Sequence, residues 1–178
     1  MTSIRSATPE DAARIAHVQV ETWRSAYRGI VPDAYLASLD VGLRAERWLD
    51  LLNSPESILL VGASDETVVG FATGGPIREP VQACDAELYA IYVLPQFQRN
   101  ILGSCLLIEL ARRLHAAGFR SMGVWLFQAN IAAARFYERS GATLAASRER
   151  EYAGVLLPLI AYRWPDLGSL CGRSPRGI

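Results

Sequence analysis

A stretch from Leu88 to Leu107, LYAIYVLPQFQRNILGSCLL, reads as a strand ending at Pro95, a short polar turn, and the start of a long helix. The first turn of a helix leaves backbone N–H groups without partners and carries the positive end of the macrodipole. Such a start is a site for a phosphate, although most polar strand–turn–helix units hold none. Just upstream, alternation along a strand places Glu87, Tyr89, Ile91 and Val93 on one face. A carboxylate in an apolar strand has a raised pKa and is suited to take a proton, directly or through water. The other reading of Glu87 is a solvated charge at a strand start. Downstream, Asn130 and Tyr137 are seven residues apart, two helical turns, so their side chains share a face. Asn130 is placed to cap that helix. Tyr137 is either a phenol with a usable proton, its ordinary pKa being near 10, or a core aromatic beside Phe136.

The elements that must position these residues follow from periodicity and punctuation. A strand at Ile4–Ala7 leads into Thr8-Pro9-Glu10-Asp11, an N-cap, a first-turn proline and a box-like Asp11. A helix then runs from Ala12 to about Thr22. Trp23–Leu39 is helical but broken at Gly29 and restarted at Pro32-Asp33, and Val41–Leu52 has helical spacing. Strands are expected at Ser57–Ala63 and Val68–Gly74, joined by Ser64-Asp65-Glu66. A loop over 75–85 precedes a strand at Ala86–Leu94. Ile101–Ala117 is a helix with leucine at 102, 106, 110 and 114, stopped by Gly118. A strand at Ser121–Phe127, a helix at Ile131–Ser140 ended by Gly141, and strands near Thr143–Arg150 and Val155–Trp164 complete the order. The expected fold class is α/β (α+β): a mixed sheet of about seven strands with helices on both faces. Residues 1–166 read as one domain. Residues 167–178 show no period and read as a flexible tail.

Composition narrows the function classes. The 178 residues suit a single domain, 51% are hydrophobic and 20% charged, and the formal net charge is zero. Nothing there favours nucleic acid or an anionic membrane as partner. No apolar run approaches the roughly 18–20 residues of a membrane helix, and the N-terminal segment lacks an apolar signal core. A cytoplasmic location is the default expectation. Three cysteines (Cys84, Cys105, Cys171) and two histidines (His17, His115) have no metal-like spacing, so no metal is expected.

The central stretch resembles motif A of the GNAT superfamily of N-acetyltransferases. Val93-x-Pro95 is followed by Gln98-Arg99-Asn100-Ile101-Leu102-Gly103-Ser104, against a family pattern of Gln/Arg-x-x-Gly-x-Gly/Ala. Asn130-x-x-Ala133-x-x-Phe136-Tyr137-x-x-x-Gly141 is similar to the family's motif B. The resemblance spans about residues 3–164 and implies a GNAT fold with acetyl-CoA as acetyl donor. It implies that the backbone over 98–104 holds the coenzyme A pyrophosphate. The strand at Ile91, Tyr92 and Val93 would pair with the pantetheine arm and hold the oxyanion. Asn130, Ala133 and Tyr137 would complete the cofactor site, with Tyr137 protonating the departing thiolate. It also suggests Glu87 as the base, eleven residues before Gln98. The departure is Ile101, which stands where the family has its first glycine. Either Ile101 keeps a negative φ at the helix start and still donates its N–H, or cofactor binding is weakened.

Acceptor contacts are expected outside these motifs. Trp23 and Tyr27, with Tyr35, lie in ETWRSAYRGIVPDAYL, which resembles a segment of bacterial small-molecule acetyltransferases; packing of helices onto the sheet is the alternative role. Tyr89 belongs to the same expected acceptor site. Arg148–Tyr152 is either part of the cleft or a solvated hairpin tip. The implied partner is a primary amine of a small molecule. The alternatives are a protein N-terminus or lysine as acceptor, or a non-catalytic binding module that kept the fold, and a homodimer fits the resemblance.

Overall fold

The computed structural model describes residues 2–53 and 57–178. Its first four strands form an antiparallel meander: β1 (Thr2–Ser6) pairs with β2 (Ile58–Ser64), β2 with β3 (Thr67–Pro76), and β3 with β4 (Ala86–Val93). Asp65 and Glu66 join β2 to β3 at positive φ (47° and 68°), the backbone that a two-residue hairpin turn needs. Strand β5 (Met122–Phe127) lies parallel to β4. The hairpin of β6 (Thr143–Tyr152) and β7 (Val155–Trp164) attaches to β5 through β7. One seven-stranded mixed sheet results, in the order β1-β2-β3-β4-β5-β7-β6, as the sequence leads one to expect.

Helices cover both faces. Asp11 anchors the start of α1 (Ala12–Ala26). Its carboxylate accepts from both guanidinium ends of Arg5 (2.6 and 2.8 Å) and from the Thr8 N–H (2.9 Å). The Arg5 hydrogen bond holds this carboxyl below the usual range. Helix α1 runs four residues past the expected end. The chain breaks at Gly29, where φ is 76°, and re-forms as α2 (Asp33–Ala37) and α3 (Val41–Leu52). Trp48 of α3 packs edge-on against Phe71 of β3 at 5.0 Å and donates to Gln19 of α1 at 3.0 Å, which fixes α3 on α1 and both on the sheet.

The opposite face carries α4 (Leu102–Ala116) and, at its N-terminal end, α5 (Ile131–Arg139). The four-residue leucine repeat seats on glycines. An added Cβ would lie 2.7 Å from Leu102 at Gly62, 3.4 Å from Leu106 at Gly70, and 3.3 Å from Leu110 at Gly74. Close approach buries all three leucines, each contributing about 1.5–3 kcal/mol of apolar transfer.

Two expectations change. Residues 167–171 form a short helix, α6 (Leu167–Cys171), capped by Asp166. Its Leu167 and Leu170 are 0% and 1% exposed in the main core. Arg112 donates to the Cys171 carbonyl and Arg139 to the Ile178 carbonyl, so the segment read as a flexible tail is docked. The second change is in β4. Gly74 opposes Leu88 while Thr73 opposes Ala90, so Tyr89 is an unopposed bulge residue. The bulge reverses the alternation. Val93 therefore faces Gly70 and Leu106 on the α4 side, while Tyr92 faces Trp23 of α1. Glu87, Tyr89, Ile91 and Val93 do not share one face.

Candidate active site

The parallel partners β4 and β5 are in register at two positions, Ala86–Met122 and Glu87–Gly123. Beyond them the strands part, and residues 88–93 of β4 keep one edge open among the described residues. An open strand edge accepts an extended, amide-bearing chain. The start of α4 stands near this gap, with Phe136 of α5 lying 3.8 Å from where a Cβ on Gly103 would be.

The turn into α4 is shaped by its own side chains. Gln98 donates to the Val93 carbonyl at 2.7 Å, and Asn100 accepts the Leu102 N–H at 2.9 Å. Arg99 is exposed and carries the positive φ of the turn, 59°. Ile101 has φ −73° and ψ −5°, ordinary helical geometry, with its side chain 49% exposed. Ile101 thus keeps the negative φ of the first reading. Among the described residues the N–H groups of Ile101, Gly103 and Ser104 have no protein acceptor. At Gly103 a Cβ would make only ordinary contact with Phe136. The chain's own packing therefore does not demand glycine there, whereas a ligand lying on the helix start would. Orphan amides, the dipole and an uncovered glycine together fit a pyrophosphate.

Helix α5 opens on Asn130, whose side chain accepts the Ala133 N–H at 3.2 Å. Ala133 sits partly buried in the first turn. Gly141 ends the motif at φ 90°, so the backbone favours glycine, and a Cβ there would displace only the Arg173 guanidinium, 2.4 Å away. Tyr137 is 6% exposed, held edge-on against Trp164 at 5.6 Å. Its hydroxyl has no hydrogen-bond partner among the described residues. Burial, then the neighbouring Tyr92 phenol, pushes its pKa well above the ordinary tyrosine range. Tyr92 in turn accepts from Trp23 Nε1 at 3.0 Å and lies 3.5 Å from the Tyr27 hydroxyl. Tyr27 is raised first by burial and then by Tyr92, with Tyr137 adding to it. Tyr92 thus ties β4 to Trp23 of α1 and to Tyr27 just past its end.

Glu87 is buried, 5% exposed, but its setting is not the apolar one expected. Oε2 accepts the Arg78 and Glu79 N–H groups at 2.8 and 2.9 Å, and Oε1 lies 3.6 Å from the Arg78 guanidinium. Glu87 therefore latches the 77–85 loop to β4. Tyr89 donates to the Pro76 carbonyl at 2.6 Å, and Arg78 stacks over its ring at 3.3 Å.

Glu87, Tyr89, Arg78 and the Tyr92 and Tyr27 phenols border a cavity of about 490 Å³. Trp23, Tyr27, Tyr89 and Glu87 line it, as does the β6 segment, through Arg148, Arg150 and Tyr152. Trp23 and Tyr27 also pack a second apolar cluster with Phe127 and Leu159, so packing and lining coexist. Both readings of 148–152 hold in part: Arg148, Arg150 and Tyr152 reach the cavity while Glu149, Arg150 and Glu151 are solvent-exposed, and the strand continues to Tyr152, with Ala153-Gly154 making the turn. Arg44, Arg47, Glu79 and Trp125 also line the cavity and were not singled out from sequence. The three-residue spacing of Arg44 and Arg47 on a helix was the available signal. Among the described residues no three His, Cys, Asp or Glu side chains group as a metal site, and no helix is long and apolar enough to cross a membrane.

The splayed parallel strand pair and the helix start with unpaired amides, joined by the Gln98–Val93 hydrogen bond, suit an extended phosphate-bearing ligand. The profile of the Acetyltransferase (GNAT) family matches residues 19–142. An uncharacterized N-acetyltransferase, YuaI of Bacillus subtilis, is 37% identical over 170 residues, covering 96% of each chain. The chain belongs to the GNAT acetyltransferase family. A spermidine N(1)-acetyltransferase of Thermoplasma acidophilum is 27% identical over 78% of this chain and 86% of that one. Among solved structures, the PaiA N-acetyltransferase of the same organism, crystallised with coenzyme A, superposes with a TM-score of 0.73 at 20% identity, covering 92% of this chain and 99% of that one.

Proposed function

We propose that the protein transfers an acetyl group from acetyl-CoA to the primary amine of a small molecule, by direct attack within a ternary complex. The observation that carries the reading is the open edge of β4, tied at Val93 through Gln98 to the turn that presents the unpaired α4 amides. Acetyl-CoA supplies the activated thioester. The amides of Ile101, Gly103 and Ser104 are suited to its pyrophosphate, with Arg99 adding charge beside them. Backbone groups of Ile91–Val93 are placed for the pantetheine arm and the oxyanion, and Asn130 and Ala133 flank that arm. The coenzyme A-bound structure of similar fold supports this assignment.

Tyr137 serves as the acid. A phenol holds its proton at neutral pH, and the unpartnered hydroxyl leaves that proton available to the thiolate. Glu87 serves as the base for the amine, directly or through water, at the wall of the cavity. The half-open cavity, bounded by α1, α3, the 77–85 loop and β6, is of a size to take a small acceptor. The test is thiol release from saturating acetyl-CoA across a panel of primary amines. At least one amine should give release that depends on both substrates. Release with none of them would overturn the enzymatic reading in favour of a binding module.

A further inference from the structure

Among the described residues, the acceptor cavity is lined by five arginines against two glutamates, and by no lysine, histidine or aspartate. Both glutamates are already committed. Glu87 holds Arg78 and two backbone amides. Glu79 is shared by Arg148 and Arg150. Among the described residues Arg44 and Arg47 have no ion pair. Arg44 is half-buried, with its guanidinium 6.0 Å from the Trp23 ring centroid. A second, independent sign of unmet demand comes from the other wall. Arg148 stacks over Trp125 at 4.0 Å, and its buried Nε has no acceptor among the described residues. Arg148 and Arg150 also crowd one another, and burial and Arg150 lower the Arg148 pKa.

We propose that the acceptor is a primary amine that also carries an anionic oxygen group, a carboxylate or phosphonate, next to an aromatic-sized apolar portion. This rests on the acetyltransferase reading above and names its substrate class. Guanidinium forks recognise such groups bidentately. The ring of Trp23, Tyr27, Tyr35, Trp125 and Tyr152 supplies apolar contact for the rest of the molecule. The same excess positive charge works against a polyamine, whose several cations would be repelled. It also lowers the pKa of any bound amine, favouring the neutral form that attacks.

The test compares acceptors differing in one group: phenylalanine, its amide, phenethylamine, the aminophosphonate analogue of phenylalanine, and spermidine. Thiol release gives kcat/KM, and calorimetry gives acetyl-CoA affinity. The carboxylate or phosphonate form should exceed phenethylamine and the amide by about tenfold or more, the factor set by a lost charge-assisted hydrogen bond, and the better of the two identifies the anion. Spermidine should be the poorest. Arg44→Gln should erase that preference while leaving acetyl-CoA affinity unchanged, and Arg47→Gln, on the more exposed side, checks the same effect without disturbing packing. Equal or better turnover of phenethylamine or spermidine would overturn the inference but leave the acetyltransferase reading intact. Weaker acetyl-CoA binding in the arginine variants, with amine preference unaltered, would overturn it by assigning those arginines to the cofactor. Absence of turnover with every amine would overturn both.

Discussion

Tyr137 is buried among aromatic rings yet has a hydroxyl that no protein group satisfies among the described residues. A purely structural role would be served by phenylalanine, which carries no polar atom to desolvate. Tyr137→Phe should lower kcat by about 10²–10⁴, the usual worth of a positioned acid, with acetyl-CoA affinity nearly unchanged. Steady-state kinetics with calorimetry decides this, and unaltered kcat would refute the role. The direction of the pKa shift adds a pH expectation. A phenol raised above 10.0 keeps its proton through neutral and mildly basic pH, so kcat should show no basic limb from this group below about pH 10. Glu87 needs a subtler substitution, because it also holds the Arg78 and Glu79 amides. Glu87→Gln keeps an accepting oxygen for that latch and removes the basic carboxylate. A loss in kcat of about 10²-fold or more with fold stability retained supports the base, and full activity assigns Glu87 to anchoring alone.

The elements that carry the motifs were legible because their signals are local. Asn130 caps α5, leucines repeat along α4, and Gly118 and Gly141 stop their helices at positive φ. The bulge at Tyr89 was not, because AELYAIYV is apolar on both faces and one inserted residue leaves no mark on such a pattern. Its consequence is large: it turns Tyr92 toward Trp23 and leaves Val93 under α4. Motif A shows the reverse case, where a sequence departure has little structural effect. The positive φ of the turn falls on Arg99, and Ile101 is already helical. Ile101→Gly should therefore leave the acetyl-CoA dissociation constant within about twofold, since neither φ nor close approach requires glycine there. Tightening of tenfold would show that the side chain obstructs the cofactor.

Over the whole molecule, the acceptor cavity and the C-terminal segment both depend on contacts distant in sequence. Arginines from α3, from the loop after β3 and from β6 converge only once α3 is packed on α1 and the β6–β7 hairpin on β5. No spacing rule reaches across roughly 100 residues. The C-terminal helix was illegible because only Leu167 and Leu170 mark it, and two apolar residues make no period. Their burial predicts that Leu170→Ala costs about 2–5 kcal/mol, read as a fall in the midpoint of denaturant unfolding. A change under about 0.5 kcal/mol would mean that α6 docks without contributing to stability. The three segments proposed for the cofactor side, by contrast, lie between residues 86 and 141 and could be found by motif.

All these levels meet at the gap between β4 and β5, which calorimetric titration with acetyl-CoA probes most directly. One cofactor should bind per chain, with a dissociation constant in the roughly 1 μM to 1 mM range of working substrates. A pantetheine fragment lacking the pyrophosphate should bind at least about tenfold more weakly, because the unpaired amides of Ile101, Gly103 and Ser104 act through those phosphates. No heat of binding at millimolar acetyl-CoA would contradict the account.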